Sequence, residues 1–245
     1  MSAILMIVTS AGTMPNGERT GLWLEEFAVP YDTLREAGHV ITVASPKGGS
    51  TPIDPRSDEA AKHPQWRDAA QQLQQTRTLE GLKADDFAAV FIPGGHGTMF
   101  DFPDNAALGA LLSDFHAQHK PIASVCHGPA AFVGVKRTDG KPLVEGYTLT
   151  AFSDTEEKLV GLDDVVPFLL SKRLRELGAN VENSVPMLSH VKQDRLLITG
   201  QNPKSSARAA ELLVNLLQQG TLEPGIAARA PSRALGQADL HGPSR

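Results

Sequence analysis

The chain has 245 residues, 41% of them hydrophobic and 21% charged, with a net charge of -5 and one cysteine. That length can bury a substantial core in one medium domain. The negative balance offers no electrostatic footprint for nucleic acid or an anionic membrane, so neither is expected as a partner, and a lone thiol forms neither an internal disulfide nor a multi-thiolate zinc site.

The amino-terminal apolar run, Ile4 to Val8, has no basic stretch before it and no small-residue cleavage pattern after it, so it reads as a buried strand rather than a signal peptide. No stretch reaches the ~18 to 20 continuous apolar residues of a membrane helix, and a cytoplasmic location is expected. Trp23 to Ala37 places apolar residues at helical spacing up to Gly38, a residue suited to a carboxy-terminal cap, and Pro30 should kink this helix. Val40 to Ala44 is a second strand. Ser45 to Gln75, rich in Pro, Asp, Gln and Ala, reads as an insertion that overhangs one end of a sheet and carries a short helix near Trp66 to Gln74. Strands are expected again at Ala88 to Ile92, Pro121 to Val125 and Leu196 to Thr199. Helices are expected at Ala106 to His119, Val165 to Leu177 and Ser205 to Gln218. Solid apolar strands alternating with amphipathic helices specify an α/β fold: a flavodoxin-like parallel sheet with helices on both faces, spanning residues 1–219 with the insertion at 45–75. Residues 220–245, proline- and glycine-containing without apolar periodicity, read as a flexible tail.

Two segments carry chemistry. Lys120 to Phe132 runs from a strand directly into Cys126, His127 and Gly128. Such an elbow holds a nucleophile in a strained conformation at the carboxyl end of a sheet, and a helix beginning there would lower the thiol pKa with its amide dipoles. Taken by itself, a lone cysteine at a strand end reads equally well as a small buried hydrophobe. Val90 to Thr98 is another strand followed by a glycine-rich turn, able to present bare amides to an oxyanion. Neither phosphate-cradling pattern, GxGxxG nor GxxxxGK[ST], is present. His96 adjoins this turn and is placed to line the pocket. His116 and His119 are three apart, a spacing that can hold metal, but no third ligand accompanies them and a solvated face is the simpler reading.

The Pro93-Gly-Gly-His-Gly97 turn, the Ala123-Ser-Val-Cys-His-Gly-Pro129 elbow and the Thr20-Gly-Leu-Trp-Leu-Glu-Glu26 segment together resemble the ThiJ/PfpI superfamily, in order and in spacing. Ile92 to Pro103 and Leu149 to Phe168 are most similar to its branch of heat-shock-type chaperones and cofactor-independent glyoxalases (glyoxalase III). The resemblance spans roughly residues 3 to 218. It implies that Cys126 is the nucleophile, His127 its neighbouring base, and Glu26 the helix glutamate that approaches the sulfur. Glu25, about 100° away around the helix, would then face elsewhere. The acid that orients His127 would be Glu157, with Asp154 and Glu156 as alternatives; Ser153 and Glu156 also match a capping box. The oxyanion amides would be those of Gly95 and His127.

The chemistry so implied is attack of Cys126 on the aldehyde carbon of methylglyoxal or a related alpha-oxoaldehyde. Proton transfer by Glu26 or His127 and hydrolysis of a thioester then give a 2-hydroxy acid. No cofactor, metal or glutathione is needed. Deglycase activity would be a variant of the same chemistry. The resemblance also implies a homodimer. A holdase chaperone and a redox sensor built on Cys126 are the competing classes. Glutamine amidotransferase activity is rejected, because Ser124 stands where that family has glycine and His190-Val-Lys192 lacks the required glutamate; peptidase activity is disfavoured.

Overall fold

A computed structural model describes residues 1–58 and 62–220. The chain order is β1 (Ala3–Ile7), α1 (Leu24–Glu36), β2 (Val40–Ser45), α2 (Arg67–Gln72), β3 (Arg77–Thr78), β4 (Ala89–Ile92), α3 (Thr98–Asp101), α4 (Ala106–Ala117), β5 (Ile122–Val125), β6 (Thr148–Leu149), α5 (Asp154–Leu159), α6 (Leu170–Glu176), β7 (Asn180–Val181), β8 (Val191–Asp194), β9 (Leu197–Gly200) and α7 (Ser206–Gly220). The tail expected over 220–245 lies, after Gly220, outside the described residues.

The main sheet has seven strands in the order β3-β2-β1-β4-β5-β9-β8, parallel throughout except for the antiparallel edge strand β8. Its five central strands follow the doubly wound order, with the switch point between β1 and β4. Because side chains alternate across a strand, β1 feeds two cores at once. Ile4 and Met6 pack with Phe27, Leu34 and Leu213 on the α1 and α7 face, while Leu5 and Ile7 pack with Leu112, Phe115 and Leu174 on the α4 and α6 face. This two-sided burial is why the strands show no polar alternation. β6 and β7 form a small separate ladder.

Two expectations are corrected. The third large helix begins at Leu170 rather than Val165. The segment after the elbow is a five-residue 3₁₀ turn, Gly128–Phe132, so no long amide dipole is aimed at Cys126. β8 escaped the sequence reading because Lys192, Gln193 and Asp194 give it no apolar pattern, although it pairs with all of β9. Helix α1 continues through Pro30.

Candidate active site

The site lies at the carboxyl end of the central strands, where β4 and β5 hand over to turns. Cys126 follows β5 directly and adopts φ of 58°. A left-handed non-glycine residue costs about 1–3 kcal/mol and persists only where its surroundings impose it. Here the Cys126 amide donates to Gly200 O at 2.9 Å and its carbonyl accepts from Phe152 N at 2.9 Å. The expected strained elbow is present.

The β4 turn is pressed against this elbow. A Cβ on Gly94 would stand 2.6 Å from His127 N and 2.7 Å from Glu26 Oε2, so only glycine fits; Gly95 follows with φ of 102°. The Thr98 hydroxyl meets both Gly95 O, at 2.9 Å, and His127 O, at 3.0 Å, tying the two turns together. Among the described residues neither the Gly95 nor the His127 amide donates to a backbone carbonyl. Both residues line a cavity of about 200 Å³ together with Cys126, His96, Trp23 and Phe152.

On one side of the sulfur stands the buried Glu26, while its neighbour Glu25 is partly exposed. Gly94 N donates to Glu26 Oε2 at 2.7 Å. The Glu26 and Cys126 side chains interact, yet Oε1 is buried with no hydrogen-bond partner of conventional geometry. An unpaired buried carboxylate oxygen is costly, whereas a protonated one places its O–H there. Burial accordingly pushes Glu26 up to about 8. Burial also pushes the Cys126 thiol up, and negative charge on Glu26 would push it further. The lowering of the thiol pKa expected from a helix dipole finds no long helix here: the buried surroundings and the neighbouring Glu26 carboxyl push the Cys126 thiol up instead.

On the other side, Cys126 Sγ lies 3.3 Å from His127 Nδ1, and His127 Nε2 lies 2.7 Å from Glu157 Oε2. With Nε2–H donating to the carboxylate, the Nδ1 lone pair faces the thiol. Of the three acids left open by the sequence, Glu157 is the one that meets His127. Glu156 caps α5 through Ser153, and Asp154 accepts from Lys172 N and pairs with Arg175. The second Glu157 oxygen takes His96 Nε2 at 2.6 Å. Burial raises the Glu157 pKa, but the charge of His127 and hydrogen bonds from both histidines outweigh it and hold the carboxylate well below its usual range. His96 is pulled down to about 4, first by burial and then by the charge of His127.

The sequence reading missed the outer end of this chain of contacts. Arg56 Nη2 lies 3.4 Å from His96 Nδ1, and Asp54 holds the guanidinium with contacts of 2.9 Å and 2.6 Å. Thr20 in turn donates to Asp54 at 3.1 Å. Both missed residues sit in the 45–75 segment, which begins at the carboxyl end of β2, and no motif marks them there. The ligand atoms of His96, His127 and Glu157 lie within 4.8 Å of one another, a spacing open to a metal ion. An ion at that point would displace the two imidazole protons that now bind the carboxylate, and with them the tautomer that aims His127 Nδ1 at the thiol.

The DJ-1/PfpI family profile matches residues 20–216. This chain belongs to that family. It is 30% identical over 236 residues to the glutathione-independent glyoxalase HSP31 of Saccharomyces cerevisiae, covering 88% of this chain and 98% of that protein. To the protein/nucleic acid deglycase HchA of Pseudomonas aeruginosa it is 31% identical over 237 residues, covering 87% and 80%. The crystal structure of glyoxalase III from Candida albicans superposes with a TM-score of 0.80 at 26% identity, covering 87% of this chain and 96% of that one. Among the described residues no helix is long and apolar enough to cross a membrane.

Proposed function

We propose that this protein converts methylglyoxal and related alpha-oxoaldehydes to 2-hydroxy acids without glutathione, through Cys126. The observation that carries the assignment is a thiol flanked on one side by a buried carboxyl with an unsatisfied oxygen and on the other by a histidine–glutamate pair. In this mechanism His127 Nδ1 takes the thiol proton as sulfur attacks the aldehyde carbon, and Glu157 stabilises the imidazolium. Glu26 gives its proton to the new alkoxide, which lies toward the amides of Gly95 and His127. The Glu26 carboxylate then removes the former aldehyde C–H and returns that proton to the adjacent carbon, while the hydroxyl proton on the first carbon passes to the ketone oxygen, so the ketone becomes an alcohol and the first carbon a thioester. Water, deprotonated by the Glu26 carboxylate, opens the thioester, and the His127 imidazolium returns its proton to the departing sulfur, so the thiol, Glu26 and His127 all regain their starting states. One carbon is oxidised and its neighbour reduced, so methylglyoxal plus water gives lactic acid with no outside oxidant or reductant.

The same hemithioacetal chemistry extends to glycated side chains, the activity named for the Pseudomonas relative. We place the protein in the cytoplasm, a reading supported by its single, buried and unpaired cysteine. The test is lactate release from methylglyoxal by the purified chain without added glutathione or metal, alongside Cys126→Ala and Glu26→Gln. Turnover by the parent and loss in both variants is expected; no turnover above buffer by the parent overturns the assignment. For the deglycase extension, adduct loss that merely tracks removal of free aldehyde counts against a direct reaction.

A further inference from the structure

Strands β5 and β9 pair at Ile122 and Leu197 at the end of the sheet remote from Cys126. Against that pair lies a second cavity, of about 250 Å³, larger than the one at the thiol. Its floor includes Ile122 and Leu197, and its walls carry Lys120, Arg137, Tyr147 and Arg195 with no acidic residue among them. Asp194 and Asp139 pair with Arg195 and Arg137 from outside the lining, and the balance of charge on the cavity walls themselves is positive in a chain of net charge -5. Apolar walls of low polarisability focus such a field into the cleft.

The cations are held in place. The Arg195 guanidinium lies 3.5 Å over the Tyr147 ring and donates to Gly146 O at 3.0 Å and to Asp194. Arg137 donates to Glu145 O at 3.2 Å, and its Nε is buried without a hydrogen bond, the nearest acid oxygen being Asp139 Oδ1 at 3.4 Å. Lys120 Nζ donates to Ala84 O at 2.7 Å. His116 and His119, whose spacing suggested metal, also line the cavity, but His119 lies beyond α4 in a left-handed conformation and His116 Nε2 meets the Tyr147 hydroxyl at 3.0 Å. His116 is depressed first by burial and then by the positive charge of Arg137, so that field reaches an imidazole on the wall.

We propose that this cavity is a second binding site, separate from the thiol site, for a compact organic oxyanion: a carboxylate or phosphate carried on a small apolar body. The anion would meet Lys120, Arg137 and Arg195, and the body would rest on Leu197 and Ile122. Charge-assisted contacts from fixed guanidinium groups favour such a head.

The test is an NMR titration of the full-length protein with benzoate and with phenyl phosphate, using benzyl alcohol as the uncharged control. Saturable shifts confined to residues 116–122, 137–147 and 195–197, weakened about tenfold by Arg137→Gln and by Lys120→Gln, are expected. The His116 imidazole should titrate at higher pH in the complex, because a bound anion offsets its positive neighbours. Tighter binding of one probe identifies the headgroup. The proposal is overturned if neither anion saturates these signals, if benzyl alcohol binds as well, or if both folded variants bind with unchanged affinity.

Discussion

Helices α1 and α5 each bury glutamate beside the thiol, and they treat the charge in opposite ways. On α5, Glu156 accepts five hydrogen bonds: from Ser153 N, Ser153 Oγ, Gln201, Asn202 and Met187 N. Glu157, next in sequence, accepts two histidine contacts. On α1, Glu26 has a single amide on one oxygen and an orphaned second oxygen. Burial alone does not make a carboxyl reactive. The number and kind of donors decide whether it is a structural anion, an orienting anion or a proton carrier.

That contrast predicts graded effects. Cys126→Ala should reduce lactate formation to the uncatalysed level, and Glu26→Gln, which can still donate a hydrogen bond but cannot carry the proton, should lower kcat by about 10³. Steady-state kinetics on folded variants checks both; near-normal kcat for Glu26→Gln would remove the carboxyl from the proton pathway. Glu157→Gln should cost about 10² in kcat with little change in KM, since it spoils the tautomer of His127 rather than binding.

Glu156→Ala should act on stability instead. Five stranded donors predict a loss of about 3 kcal/mol, read as a fall in Tm of roughly 10 °C. A variant of normal Tm with impaired turnover would reverse the assignments on α5.

Proton linkage separates α1 from α5 more finely. Glu26 rises from 4.5 to about 8 on folding, so its contribution to stability is complete below pH 4.5 and is lost as pH rises through 8. The Glu26→Gln variant should therefore lose less stability than the parent between pH 5 and 8, by at most about 1.4 kcal/mol per pH unit in denaturant titrations. Parent turnover should also fall on the alkaline side near pH 8, as the proton leaves Glu26. Identical pH slopes in the two proteins would show that Glu26 is ionised throughout. The smallest effect is expected at Arg56: Arg56→Ala should lower kcat/KM by less than about tenfold, and the His96 titration should move up from about 4 because a positive neighbour is gone.

The sequence by itself determined the parallel sheet, because two-sided burial demands the uninterrupted apolar strands it displays. It also placed Cys126, His127 and Glu26, because the elbow, the glycine turn and the α1 segment are continuous stretches whose likeness survives in local order. The resemblance favoured Glu157 but left Glu156 and Asp154 open, and the tertiary structure is what separates them: the three lie within one turn of α5, and they differ in which donors arrive from residues 127, 187, 201 and 202. The tertiary structure likewise decided that Arg56, held by Asp54, reaches His96, that burial pushes the Cys126 thiol up, and that Lys120, Arg137 and Arg195 share one cavity. Periodicity encodes which face of an element is buried. Partners brought together by folding across dozens of residues leave no periodic trace.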